Sequence, residues 1–459
     1  MTDPPTGTTT APTALTGWGG TGATVAQVAS PRGPDDVARL LARASDRGVI
    51  ARGLGRSYGD SATNAGGTVV DCTSLSGVRS LDPRTGVAVV DAGSSLDQLM
   101  RDLVPQGWFV PVTPGTRQVT VGGAIASDIH GKDHHVRGSF CQWVDAVTLL
   151  LPSGERRVVG PEREPALFWA TAGGMGLTGM VLDATLRLQP ITTSRLVVDT
   201  ERAPDLESCM ARMVEGDALH RYSVAWIDCL AQGASLGRSV LTRGDHATVD
   251  QLPRRQRAEP LRYEVGPRLT IPVDVPSGLL NRFSVGAFNE LWYRKPSSDR
   301  LGEVQGITRF FHPLDTVVGW NRLYGRRGFL QHQFVVPLGA EATLRAIVER
   351  LAAARCASFL GVLKRFGPGN PGPLSFPIPG WTLALDIPVG DPDLSGLLDG
   401  IDDLVAEAGG RLYLAKDSRM RAELLPTMYP RLEEWRAVRR SVDPDGVLQS
   451  DQSRRLGLS

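Results

Sequence analysis

Three glycine clusters and four lysines mark where this chain could do chemistry. Ala51–Asp60 reads ARGLGRSYGD, Pro114–Gly131 reads PGTRQVTVGGAIASDIHG, and Gly173–Gly179 reads GGMGLTG. Glycine permits positive φ and lets main-chain N–H groups approach a ligand closely. Gly53, Gly55 and Gly59 are spaced G-x-G-x-x-x-G, which is not the dinucleotide fingerprint G-x-G-x-x-G. The acidic residue some 20 positions on, Asp71, falls in a second strand and closes no βαβ unit. A tight strand-to-strand turn would explain the first cluster alone. All three clusters together suggest one extended cofactor held by backbone N–H groups. The basic residues carry a second signal. Of 50 Lys plus Arg, only Lys132, Lys295, Lys364 and Lys416 are lysines. An ammonium is a compact charge with a movable pKa, whereas a guanidinium stays protonated. A lysine kept in such a chain is a candidate for that property, although Lys295 reads as an ordinary surface residue. Gln331 and Gln333 flank His332 on an expected strand, so both amides face one side.

Other chemistries find little support. Cys72, Cys141, Cys209, Cys229 and Cys356 are scattered with no C-x-x-C, and read as reduced buried thiols. His134 and His135 are adjacent and would point to opposite faces of a strand, a poor metal pair. No metal site is expected. A net charge of +1 predicts no strong attraction to nucleic acid. No run approaches 18 apolar residues, so no membrane-spanning helix is expected. The Thr-, Pro- and Gly-rich start lacks the basic and apolar regions of a secretory signal, and residues 1–15 read as a disordered leader.

These residues need elements to hold them. Val37, Leu40, Leu41 and Ala44 predict a helix over Pro34–Arg47. Short strands follow at Val49–Gly53, Thr68–Cys72 and Val87–Ala92. Ser95 can cap a helix carrying Leu96, Leu99, Met100 and Leu103. Trp108–Val112 leads into the second glycine cluster. A hairpin over Trp143–Val159, a helix at Leu167–Ala172 and a strand at Met180–Leu188 complete a first module over residues 16–193. Strands at Leu196–Thr200, Tyr222–Asp228, Ser239–Arg243, Phe329–Val336, Ser358–Phe366 and Trp381–Ile387 predict a second module, residues 194–410. It should be a sheet with helices on one side. Within it, Gln251–Gly286 mixes six arginines with isolated apolar residues and has no period. It reads as a long mobile loop, and its prolines argue against a regular helix. Residues 411–459 hold a strand end at Tyr413–Asp417, a helix at Met428–Arg440 and a tail.

ARGLGRSYGD, VDAGSSLDQLM, PGTRQVTVGGAIASDIHG, FWATAGGMGLTGMV and the terminal DPDGVLQSDQSRRL, in that order, resemble the vanillyl-alcohol-oxidase-like FAD-binding family over nearly the whole chain. The resemblance implies an α+β flavoprotein of two domains. Residues 16–193 and 411–459 would bind FAD, and 194–410 would form an antiparallel-sheet substrate (cap) domain. SDIHGKDHH, ELWYRK, FHPLD, GFLQHQF, KRFGPGNPGPLSFPIPGW and GGRLYLAKDSR are most similar to the actinobacterial branch that oxidises decaprenylphosphoryl-β-D-ribose. The family's diphosphate loop falls on Ala51, Arg52, Gly53, Leu54, Gly55, Arg56, Ser57, Tyr58, Gly59, Asp60 and Ser61. Its second flavin loop falls on Gly115, Thr120, Val121, Gly122 and Gly123. The strip along the isoalloxazine falls on Ser127, Asp128, Ile129 and His130, with Val181 and Tyr413 as further contacts. The substrate side falls on Lys132, Trp226, Phe311, Gln331, Gln333, Lys364, Ala384 and Lys416.

There are departures from the family. Arg56 stands where many members carry a flavin-linking histidine, so FAD is expected to be noncovalent. Ala384 and Thr382 stand where mycobacterial relatives usually carry Cys and Asn, and Phe311 where relatives often have Tyr.

Oxidising a secondary alcohol requires a hydride acceptor and a proton acceptor. The candidates for the proton are Lys416, Tyr58 and His130. A desolvated lysine has a lowered pKa and can accept or share a proton. A salt bridge to Asp417 is the alternative reading of Lys416, and a structural role is the alternative for His130. Lys132 and Lys364 would meet the lipid phosphate. The expected substrate is a polyprenyl-phosphate-linked ribose, with a separate NAD(P)H-dependent reductase completing epimerisation for cell-wall arabinan. A peripheral place at the cell membrane, on the periplasmic side, follows from the resemblance. The loop would cover the lipid or dock on the membrane. An oxidase of a soluble polyol or sugar lactone, or a non-catalytic flavin-fold scaffold, are the competing readings.

Overall fold

The structure is a computed structural model that describes residues 12–266, 269–276, 278–296 and 300–459. Three sheets carry the fold. The first pairs Thr13–Leu15, Thr24–Ala29, Thr68–Asp71 and Val49–Arg52 in that order, with the last three strands parallel. Val49 and Ile50 point into its core while Arg52 ends the strand. The second sheet is antiparallel and orders Val78–Leu81, Val87–Asp91, Met180–Arg187, Val144–Leu150 and Arg156–Val159. The first glycine-bearing turn follows Val49–Arg52, and the second follows Trp108–Phe109, which pairs with Gln189–Pro190 in a separate two-stranded sheet.

The third sheet is antiparallel with eight strands. Its order is Arg300–Gly306, Arg195–Ala203, Ser239–His246, Tyr222–Ile227, Gly361–Phe366, Gly380–Pro388, Phe329–Pro337 and Arg411–Leu412. Leu206–Gly216, Glu341–Ala353 and Leu394–Glu407 cover one face, burying Met213, Leu344, Ile347, Leu398 and Ile401 against Leu363, Leu383 and Leu385. Because side chains alternate along a strand, the residues between these face the other way. Register then lines up Val240, Trp226, Val362, Ala384 and Gln333 in one row across five strands. Lys364 pairs with Thr382 in the next row, and Gln331 with Asp386 on the other side.

The chain end returns to the start. Val49 N donates to the Val447 carbonyl and Gln449 N to that of Val49, at 2.8 and 3.1 Å. Arg455 then bridges Asp60 and Asp417, at 2.7 and 2.8 Å. Gln452 Nε2 donates to the Leu414 carbonyl at 2.7 Å.

Several elements differ from the sequence expectation. Residues 1–11 of the expected leader lie outside the described residues, and Thr13–Leu15 already pair as an edge strand. His134 and His135 sit on the short helix His134–Arg137, not on a strand. The segment leading into the second glycine cluster begins with a short strand, Trp108–Phe109, that pairs with Gln189–Pro190. The expected helix Met428–Arg440 is two, Leu425–Met428 and Leu432–Val442, because Pro430 forces Tyr429 out of the helical region at φ −127°. Gln251–Gly286 is not one long loop. Pro267, Arg268 and Ser277 lie outside the described residues, but residues 254–256 form a helical turn and Leu269–Thr270 a strand beside Val317–Val318. Ser194 donates to the carbonyls of Pro260 and Arg262, and Thr308 to that of Glu264. A helix begins at Arg282 and runs to Arg294.

Candidate active site

Both glycine-bearing turns and the inner face of the large sheet enclose one cavity of about 730 Å³. That is in the upper range for small-molecule sites. One wall is backbone. Among the described residues, the N–H groups of Leu54, Gly55, Arg56 and Ser57 find no protein acceptor, and all four residues line the cavity. Gly55 has φ +63°, and Arg52 is folded beneath it, donating to the carbonyls of Ala62 and Thr16. At Gly115 a Cβ would meet only open space. A run of free N–H donors opposite a bare glycine is the environment that a dinucleotide diphosphate requires, so these residues fit FAD. Arg56 lies 3.8 Å over the Trp18 ring and donates to the Gln118 carbonyl, tying the two loops together.

The second loop is clamped from outside. Asp315 accepts from Arg117 N and Thr116 Oγ1, and His312 Nε2 lies 2.8 Å from Thr113 Oγ1. This is the physical work of the FHPLD segment. The turn before His130 has its own strut. Asp128 is fully buried at φ 39°, and its carboxylate accepts from Cys141 N, Asn370 Nδ2 and Ser375 Oγ. Two of these donors come from the KRFGPGNPGPLSFPIPGW segment.

The opposite wall carries the titratable groups. His130 stands between Gln333 and Lys364, with Gln333 Nε2 3.0 Å from its Nε2 and Lys364 Nζ 3.1 Å from its Nδ1. A neutral imidazole carries one proton. Lys364 can donate to Nδ1 as an ammonium or accept from it as an amine, and burial lowers its pKa to about 7, with Lys416 and Lys132 adding to the shift. Burial also holds His130 well below the ordinary imidazole range, assisted by Lys364, His134 and Lys416. Lys132 donates to the Phe310 carbonyl over the Phe310 ring, and burial lowers it to about 7.

Lys416 Nζ lies 4.0 Å over the Tyr58 ring. Its backbone is held by the Tyr413 carbonyl, and Tyr58 N by that of Ala415. Burial lowers its pKa and the Asp386 carboxylate opposes that. Burial in turn raises Asp386, whose Oδ1 accepts from Gln331 and whose Oδ2 has no partner among the described residues. Burial raises Tyr58 well above its usual value, keeping it a neutral phenol. Asp417 is bound to Arg455 and accepts from Arg419 N and Met420 N, so its salt bridge is to Arg455 and not to Lys416.

Of the residues singled out from sequence, Ala51 to Tyr58, Ser61, Gly115, Thr120, Gly122, Gly123, Ser127, Ile129, His130, Val181 and Tyr413 line the cavity. So do Lys132, Trp226, Phe311, Gln331, Gln333, Lys364, Ala384 and Lys416. Four do not. Gly59 packs under the Asp417 carbonyl, Asp60 pairs with Arg455, Val121 is in the core, and Asp128 is the strut described above. Lys295 does not stand apart from the site: it lines the cavity, 4.4 Å over Trp292. Thus all four lysines border one cavity, Lys295 included, against its reading as an ordinary surface residue. Asp386 was missed, though a carboxylate in phase with Thr382 and Ala384 in GWTLALDIP was the available sign.

Residues 25–160 match the FAD binding domain family, and residues 391–456 match the D-arabinono-1,4-lactone oxidase family. The chain is 48% identical to a decaprenylphosphoryl-β-D-ribose oxidase of Mycolicibacterium smegmatis, covering 97% of both chains. It is 44% identical to a Streptomyces coelicolor protein of undescribed activity, over 79% of this chain and 100% of that one. A putative D-arabinono-1,4-lactone oxidase of Neurospora crassa is 29% identical over 34% of this chain and 29% of that protein.

Proposed function

The chain belongs to the decaprenylphosphoryl-β-D-ribose oxidase family, and from that premise we propose that it oxidises the ribose 2-hydroxyl of decaprenylphosphoryl-β-D-ribose to the 2-keto sugar. The backbone of Leu54 to Ser57 would hold FAD along the glycine-bearing wall, and FAD bound there would supply a hydride acceptor. The observation that carries the reading is the convergence of Lys132, Lys364 and Lys416 with Gln331, Gln333 and His130 opposite that wall. Lys416 takes or shares the hydroxyl proton, and as an ammonium it stabilises developing charge on the sugar oxygen. Gln331 and Gln333 orient sugar hydroxyls from one strand face. Lys132 and Lys364 receive the phosphate as compact cations.

The match at residues 391–456 would favour a sugar-lactone oxidase. That segment supplies Tyr413 and Lys416 and the clasp on the first glycine-bearing turn, and not the sheet face holding Lys364 and the glutamines. It therefore speaks mainly for the cofactor half. A separate NAD(P)H-dependent reductase would use the keto sugar. The enzyme would work peripherally at the cell membrane on the periplasmic side. No helix among the described residues is long and apolar enough to cross a membrane.

The test is anaerobic. The purified protein should be yellow and should release intact FAD on acid denaturation, because Arg56 cannot form the histidyl link. Short-chain polyprenylphosphoryl ribose should bleach the flavin, while free sugar lactones and polyols should not. Bleaching by a lactone alone would overturn the substrate assignment.

A further inference from the structure

Six of the nine large apolar residues that are more than half exposed among the described residues fall within 269–301. They are Leu269, Val273, Leu279, Phe283, Leu291 and Leu301, at 69, 68, 56, 74, 73 and 70%. Helix Arg282–Arg294 organises the centre of this patch. Its apolar residues are divided between an inward and an outward face. Its inward side buries Val285 and the polar Asn289, whose Nδ2 donates to Asp228 Oδ1 at 2.7 Å. Its outward stripe is Phe283, Ala287 and Leu291, at i, i+4 and i+8, with all three exposed.

Cations flank the stripe. Arg282 lies over the Phe283 ring, Arg294 stands a turn beyond, and Lys295 and Arg300 follow. The one acidic residue on the helix, Glu290, is bound to Arg238 and Arg294. The same helix borders the cavity. Trp292 and Lys295 line its wall, and Phe288 stacks on Trp292 at 5.7 Å. An apolar stripe about 12 Å long, flanked by cations and set at the cavity rim, has the chemistry of an interfacial membrane contact.

We propose that the outward face of helix Arg282–Arg294 docks this protein on an anionic lipid bilayer, with the cavity rim at the lipid surface. Basic flanks complement the headgroup phosphates, and Phe283 and Leu291 enter the acyl boundary. A lipid-linked sugar would then reach Lys364 and Lys416 without its tail crossing water. This last step rests on the substrate assignment above, while the docking itself does not.

The experiment uses the FAD-bound full chain and vesicles of phosphatidylglycerol with phosphatidylcholine, or phosphatidylcholine alone. Flotation should recover the protein with the anionic vesicles, and high salt should weaken the binding. Phe283→Ser with Leu291→Ser should lower vesicle affinity at least tenfold, and Arg282→Ser with Arg294→Ser should do the same. Both variants should keep the flavin and its reduction by short-chain substrate, while KM for vesicle-borne long-chain substrate rises at least tenfold. Failure of the native protein to float, or equal flotation of the Phe283/Leu291 variant, would overturn the docking. So would self-association that this variant abolishes, since the stripe would then bind a second copy. If the vesicle results hold but no ribosyl lipid bleaches the flavin, the substrate assignment fails and the docking stands.

Discussion

Lys416 is the residue on which the chemistry turns. Its ammonium sits over the Tyr58 ring in a wall that burial makes hostile to charge. Lys416→Ala should keep FAD and lose about 100-fold or more in the rate of substrate reduction, the scale of a positioned acid–base group. Lys416→Arg should fail as well, because a guanidinium cannot give up its proton. Near-native reduction in the arginine variant would reduce Lys416 to a generic cation. The buried Asp386 carboxylate holds the Lys416 pKa up against desolvation. Removing that charge in Asp386→Asn should therefore let Lys416 deprotonate at lower pH. If the neutral amine is the working form, the acidic limb of the reduction rate moves down by about one unit. A profile that stays in place while the rate falls would make Asp386 purely architectural.

Turns and strand ends place these side chains, and close packing constrains them together with hydrogen bonds. A Cβ on Gly59 would lie 2.0 Å from the Asp417 carbonyl oxygen and 2.7 Å from Ser418 Cβ. Gly59→Ala should push the first glycine-bearing turn off the loop that carries Lys416. We expect a loss of about 1–3 kcal/mol in stability, as for other overpacked sites, together with weaker FAD retention. Thermal melts with and without added FAD would measure both, and an unchanged melt would show that the contact can relax. The inner strands of the large sheet were legible in the sequence as short runs rich in β-branched and aromatic residues, and the i, i+2 spacing of Gln331 and Gln333 gave the face they share. Arg300–Gly306 was not legible, because it is an edge strand exposed along its first half with no apolar alternation. Helix Arg282–Arg294 was not legible either, since its apolar residues lie on both faces and form no single stripe. The glycines and rare lysines marked the site from composition alone. Asp60, Gly59 and Asp128 lay in the right segments, but only tertiary contacts reveal that they hold the wall from behind.

The chain as a whole closes on itself: its last residues clamp its first glycine-bearing turn through Arg455, Asp60 and Asp417. Residues lining the cavity run from Trp18 to Lys416, and the clasp ties both ends of that range together. The partition of its cations is equally global. Arginine is spread over surface and interior alike, from exposed Arg84 to buried Arg117, whereas the four lysines all border one cavity. That partition makes the site spectroscopically addressable without mutagenesis. Reductive methylation with isotope-labelled formaldehyde marks primary amines and leaves guanidinium groups silent. A protein of this size would then give a spectrum of four side-chain signals beside the terminal amine, all from around the cavity. Their pH titration should show Lys132 and Lys364 changing near 7 in the unliganded protein. Signals that titrate like free lysine would mean that water solvates the wall fully. Added substrate analogue should move the resonances nearest the phosphate most, turning an accident of composition into a map of the bound ligand.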